Sequence, residues 1–178
     1  MSRPAAACLA VALALVAFPV RSETYVSSGP RFAIDYPEGW KVLPGEGGLA
    51  TRAVGPGSAM NVSVTAASRP DFDAERFTGA ELEQIASRLA AATAGALRGF
   101  ELIDRGRAEL GGKPAAFFSY RALVDSPSGT VETVGHYFAT AHRGLVYSVT
   151  GVTQKRLQRR MQPVILEAVR SFRFNDPA

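Results

Sequence analysis

The chain has 178 residues, 47% hydrophobic and 20% charged, with a net charge of +4 and a single cysteine, Cys8. That length and balance suit one packed globular domain and exclude a disordered tail or a disulfide-stapled mini-protein. No internal repeat divides it.

The first residues stand apart. Arg3 is followed by Ala5 to Phe18, fourteen residues without a charge, then Pro19, with Val20 and Ser22 small enough to flank a cut. This is the pattern of a secretory signal peptide over residues 1–22, and the run is shorter than the roughly 20 apolar residues a membrane span needs. Cys8 lies near the start of the apolar run, not after it, so lipoprotein-type acylation is not expected. The organisation expected is therefore signal peptide 1–22 and a single domain 23–178, periplasmic or secreted, with no transmembrane segment in the mature form. Cleavage removes the only cysteine, so neither a disulfide nor a thiol nucleophile is expected. It also removes Arg3 and Arg21, lowering the net charge by two and weakening any case for a nucleic-acid partner.

Phe32-Ala33-Ile34-Asp35-Tyr36 alternates as a half-buried strand does. Pro37 and Gly39 supply a fixed and a permissive backbone position for a turn, and Trp40 and Val42 resume the alternation. Asp35 and Glu38 thus read as parts of a corner rather than of an active site. "LATRAV" and "MNVSVTA" are the next strands, separated by the loop signal "GPGS". From Thr78 the period becomes helical through Leu82, Ile85, Ala86, Leu89, Thr93, Ala96 and Leu97. Thr78-Gly79-Ala80-Glu81 has the form of a capping box, Gly99 is the expected stop, and Ala90 to Ala92 with Ala94 predict close approach on more than one side.

Two hairpins follow. "FELIDRGRAEL" and "KPAAFFSYRAL" flank Gly111-Gly112, while "TVETVGHYFATAH" and "LVYSVTGV" flank Arg143-Gly144. A last helix from about Lys155 to Ser171 aligns Leu157, Met161, Ile165, Ala168, Val169 and Phe172, with Pro163 as a kink or a fresh first turn. Strands joined by hairpins, with two helices, predict an α+β domain: a central antiparallel sheet with helices packed on both faces.

The stretches "FAIDYPEGW", "GGKPAAFFSY", "TVGHYFATAHRGLVYSVTG" and "ILEAVRSFRF" together resemble exported bacterial proteins of the PsbP-like superfamily, over nearly the whole mature chain. The resemblance implies an α/β/α sandwich and membership of a group of mostly non-enzymatic binding, assembly and accessory proteins.

Chemistry is harder to find. Glu132, His136 and His142 share one face of a strand, but at about 3.3 Å per residue they are too far apart to ligate one metal, so no metal or cofactor is expected. Nor is an active site, because G-x-S-x-G is absent and a Ser-His-Asp set would need scattered residues. Asp71, Asp73 and Glu75 mimic a calcium loop, but Arg76 stands where glycine is required. The most suggestive cluster is Lys155, Arg156, Arg159, Arg160 and Arg170, within about 140° of a helical wheel opposite the apolar face. It is a candidate surface for a protein partner or an anionic envelope component. The function expected is thus that of an exported, non-enzymatic accessory or binding protein. The alternative is a small-ligand or lipid carrier with an apolar cleft between sheet and helix. Oligomeric state is left open.

The exported protein is expected to begin at or near Glu23. Intact-mass measurement checks this: a species retaining residues 1–22, or acylated at Cys8, refutes it.

Overall fold

The computed structural model describes residues 22–46, 49–68, 79–126 and 129–176. Residues 1–21 of the expected signal peptide, the acidic loop with Asp71, Asp73 and Glu75, and the expected capping residue Thr78 lie outside the described residues. Ten strands and two helices follow in the order β1 Ser22–Ser28, β2 Arg31–Pro37, β3 Lys41–Pro44, β4 Leu49–Val54, β5 Met60–Ser68, α1 Gly79–Ala96, β6 Arg98–Leu110, β7 Lys113–Ser126, β8 Gly129–His142, β9 Leu145–Gln154, α2 Gln158–Arg170 and β10 Arg173–Phe174. A short 3-10 turn, Lys155–Leu157, leads into α2.

The strands form two antiparallel sheets, one of seven strands in the order β3-β4-β5-β9-β8-β7-β6 and one of three in the order β1-β2-β10. The single sheet expected from the sequence is therefore incomplete. β1 is mostly exposed and β10 is two residues long, so neither carries a strand pattern of its own.

Alternation along β7 sorts the layers. Ala116, Phe118, Tyr120 and Ala122 face Leu82, Ile85, Ala86, Leu89 and Ala90 of α1. Ala115 and Phe117 face the other way, into the cluster that holds Val62, Val64, Phe138, Val149, Ile165, Ala168 and Val169. That second layer is shared by α2 and the three-stranded sheet, which contributes Phe32, Ile34 and Tyr36. Sheet thus makes up more of the molecule than a simple sandwich of helices implies. Ala91, Ala92 and Ala94 are exposed, so α1 packs on one side only and these alanines serve helix propensity. Gly99 is not the helix stop: α1 ends at Ala96, and Gly99, at φ 62°, sits where the β6 register shifts against β7.

The contact that seats α2 is at Gly151. A Cβ at that position would overlap Ile165 Cγ2, so only glycine lets the helix approach β9 this closely. Both tight hairpins use paired positive-φ residues, Gly111 and Gly112 at 61° and 73°, Arg143 and Gly144 at 50° and 75°.

The Pro37–Trp40 stretch is a corner. Trp40 N–H donates to Pro37 O at 3.2 Å, Gly39 has φ 79°, and the indole is buried among core residues. Asp35 fastens the end of the chain: its carboxylate accepts from both terminal nitrogens of Arg173 at 3.1 Å and from Thr24 Oγ1 at 2.7 Å.

Replacing Gly151 by Ala is expected to destabilise the fold by about 1–3 kcal/mol through overpacking. Adding Ile165→Ala should recover part of that loss, as a double-mutant cycle in urea would show. Strictly additive losses would place the strain elsewhere. A second expectation concerns acid. The Arg173 hydrogen bond, and then that of Thr24, outweigh burial and hold the Asp35 carboxyl below its ordinary 3.8. Its contribution, up to about 1 kcal/mol for so exposed a pair, is therefore complete above that value and vanishes as pH falls through the lower folded pKa. The gap in urea midpoint between wild type and Asp35→Asn should close on acidification below about pH 4; a gap constant with pH contradicts the assignment.

Candidate functional site

The footprint of α2 leaves part of its sheet face uncovered. The helix lies over β9, β5 and β2, whereas β6, β7 and β8 extend beyond it. Between them lies a cleft of about 820 Å³, within the size range of small-molecule sites.

Two rows of cross-strand partners build its floor. The first runs Asp104, Ser119, His136, Gly151, Val62, Ala53 from β6 to β4. The second runs Gly106, Phe117, Phe138, Val149, Val64, Thr51. Partners across a ladder share a face. In the first row α2 sits on Gly151, so everything beyond it on the β4 side is core, and the three residues on the β6 side are polar and line the cleft. In the second row Phe117 and Phe138, with ring centroids 4.9 Å apart, give the floor its apolar half.

The walls come from α2 and the β6–β7 hairpin. Gln162, Leu166, Val169 and Arg170 are spaced at helical intervals along one flank, continued by Phe172 and Arg173. The hairpin tip closes one end: Gly111 lies so close to Phe172 and Phe174 that a side chain there would press on both rings.

His136 is the chemical centre of this surface. The residue is 5% exposed, its ring is nearly parallel to that of Phe117, and its Nε2 has no hydrogen-bond partner. Burial alone pushes its pKa below the ordinary histidine value, so the imidazole is neutral at pH 7. Ser119 is its register partner and Asp104 is next in line, a carboxylate–hydroxyl–imidazole order. A nucleophilic triad needs the imidazole between the other two, oriented by the acid and bonded to the hydroxyl. His136 Nε2 bonds to neither.

Charge surrounds the mouth unevenly. Arg107 pairs with Glu83 at 3.3 Å and Arg173 with Asp35, while Arg170 has no ion-pair partner among the described residues. Asp104 and Glu109 are the acids of the lining.

The basic cluster read from the sequence divides. Lys155 Nζ binds both oxygens of Glu132, at 2.6 and 2.8 Å, and Arg156 Nε donates to Gln154 Oε1 at 2.8 Å. Both lie in the 3-10 turn, where three residues make a turn, so the wheel that aligned them with α2 does not apply there. Arg159, Arg160 and Arg170 are on α2 and exposed. Arg159 and Arg170 flank a shallow depression with Glu167, and Arg170 also lines the cleft. Glu132, His136 and His142 occupy three separate places: an ion pair with Lys155, the cleft floor, and a contact with the chain end. His142 is not the free tip residue its position suggests. Its Nε2 lies 2.9 Å from Asp176 Oδ2 and its ring packs on Phe174 with centroids 4.1 Å apart. No group of three metal-ligating side chains occurs among the described residues.

The cleft floor escaped sequence reading because it depends on pairing. The signal present was local: Phe117-x-Ser119 and His136-x-Phe138 each set an aromatic and a polar residue on one strand face. Only the β7–β8 register makes them one surface.

Comparison with known proteins finds the PsbP family over residues 21–174. Among solved structures, cyanobacterial PsbP (CyanoP) from Synechocystis superposes with a TM-score of 0.64 at 17% identity, covering 95% of this chain and 98% of that one. LpqN of Mycobacterium tuberculosis, described as involved in cell envelope biogenesis, gives 0.54 at 13% identity over 88% and 91%. The Ran-binding protein Mog1p of Saccharomyces cerevisiae gives 0.52 at 10% identity over 88% and 97%. No curated protein sequence matches the chain.

Proposed function

The chain belongs to the PsbP family, and from that premise we propose an exported, non-enzymatic accessory protein that works by binding, with the cleft between α2 and strands β6 to β8 as its binding site. The observation that carries this reading is the composition of the cleft: an apolar surface of Phe117 and Phe138 in the floor and Leu166, Val169 and Phe172 in the wall, beside a short polar row. Such a site binds by burying an apolar body and selects by a few polar groups. Of the two expectations drawn from the sequence, the cleft favours the small-ligand carrier. Solved structures of similar fold include one described as involved in cell envelope biogenesis and a Ran-binding protein, which is compatible with that role, and an export signal would place it outside the cytoplasm. The binding reading is also favoured over catalysis by His136 Nε2, which bonds to no group among the described residues and so does not prepare Ser119 as a nucleophile.

The alternative of an anionic surface docked on the basic face rests on Arg156, Arg159, Arg160 and Arg170, since Lys155 is already paired with Glu132. One experiment separates the two. N-phenyl-1-naphthylamine should fluoresce on binding the protein, and Leu166→Glu, a charge on the apolar wall, should weaken that binding at least about tenfold, the cost of burying an unpaired polar group. Changing Arg156, Arg159 and Arg160 together to Gln should leave it unaltered. No fluorescence with the wild-type protein, combined with salt-sensitive retention on anionic vesicles that the triple change abolishes, would transfer the function to the helix surface.

A further inference from the structure

We infer that the cleft selects an uncharged apolar alcohol, its hydroxyl held at the floor by His136 with Ser119 beside it and its hydrocarbon body laid along Phe117, Phe138, Leu166 and Val169. This rests on the binding reading above and adds the chemistry of the ligand to it.

The first observation is the unpartnered Nε2 of His136, on a side chain 5% exposed. A buried nitrogen without a hydrogen bond is destabilising, and no group among the described residues relieves it. A ligand reaching the floor recovers that cost if it brings one hydrogen-bonding group. A hydroxyl suits best because it donates and accepts, and so satisfies either tautomer of a neutral imidazole.

The second observation is the charge around it. An anionic group at that depth would face Asp104, next but one in the same row, and an imidazole that burial keeps neutral. A cationic group would pass Arg170, whose charge has no ion-pair partner among the described residues, and reach an imidazole that offers it no negative charge. Either charge would also lose its hydration among phenylalanines. An uncharged head avoids both penalties. The third observation is the direction of polarity. The polar row lies at the level of Gly151 and Ile165, and the aromatic row, with Val169 and Phe172, lies toward the hairpin tip. The hydroxyl therefore goes to one end and the body extends toward the other.

The test uses two probes of one shape, 2-naphthol and naphthalene, with 2-naphthoate as the charged control, titrated calorimetrically at pH 7 into the purified protein. The expected result is that 2-naphthol binds about tenfold more tightly than naphthalene, the factor that one hydrogen bond to a buried group supplies, and that 2-naphthoate binds no better than naphthalene. In His136→Phe, which keeps an aromatic ring and removes the unpaired nitrogen, the two neutral probes should bind equally while naphthalene keeps its wild-type affinity. Independently of any variant, the ¹⁵N resonance of His136 Nε2 should shift with 2-naphthol and stay unmoved with naphthalene. Equal affinity of the two neutral probes for the wild-type protein would overturn the inference and leave an apolar binding site standing. Persistence of the preference in His136→Phe, or an unmoved Nε2 resonance, would also overturn it. Failure of every probe to bind would overturn the binding reading itself.

Discussion

The approach of α2 to the sheet at Gly151 decides where the rest of this molecule can be dry. Ile165 occupies the space that a side chain on β9 would fill, and from that point the helix covers β9 and β5 while leaning on β2 of the second sheet. Val62, Val64, Val149, Ala168 and Val169 are buried as a result, and the covered face is mostly apolar, with Thr51 at its β4 end. On the other side the same sheet face continues without a roof. Core and cleft are thus two halves of one surface, divided by the width of a helix, and the residue types change at the division: Val62 and Gly151 beneath it, His136, Ser119 and Asp104 beyond.

The second sheet explains why α2 stays on that line. Phe32, Tyr147, Phe172 and Phe174 form a chain of ring contacts with centroids 5.1 to 6.4 Å apart, linking β2, β9, the end of α2 and β10. Gly111 admits the β6–β7 hairpin tip to the same cluster. One aromatic group therefore fixes both the helix end and the strand turn that bound the cleft, and the pairs Asp35–Arg173 and His142–Asp176 hold the chain end around it. A site whose walls share one anchor keeps its shape without a ligand, and a preorganised pocket loses less entropy on binding.

How much of this could be read in advance follows from the range of each signal. Local signals were sound: β2, β4, β5, both tight hairpins and both helices follow from alternation, positive-φ turn residues and a 3.6 period. β1 and β10 were invisible because Ser22–Ser28 is a mostly exposed edge strand and Arg173–Phe174 is only two residues, and each exists by pairing with β2. Gly99 looked like a helix stop because glycine at a positive φ serves a C-cap and a bulge equally well. The basic cluster divides because a wheel at 100° per residue holds along α2 and not across the 3-10 turn that carries Lys155 and Arg156. The cleft required the register of β7 on β8, which aligns Ser119 with His136 over a connection that no spacing rule specifies. Sequence spacing identifies faces of single elements; sites that span three strands need the pairing.

One constraint remains, and it bears on why the cleft is open at all. β6 is the edge of the seven-stranded sheet, thirteen residues long, with Leu102 and Ile103 exposed beside Leu123 and Val124 of β7. A long edge of this kind invites a strand from another chain, and such a strand would narrow the mouth of the cleft. Two features oppose it. The register shifts twice against β7, between Arg98 and Glu101 and between Leu102 and Asp104, which breaks the straight row of free amides. The remaining positions carry Arg98, Glu101, Asp104, Arg105, Arg107 and Glu109, charges that another strand would have to desolvate. Asp104 belongs to both lists. It follows the second shift on the edge and begins the polar row on the floor, so the irregularity that protects β6 also turns a carboxylate toward the cleft. Negative charge at that point is consequently built into the way the edge is protected, and it disfavours an anion at the floor before any ligand is considered.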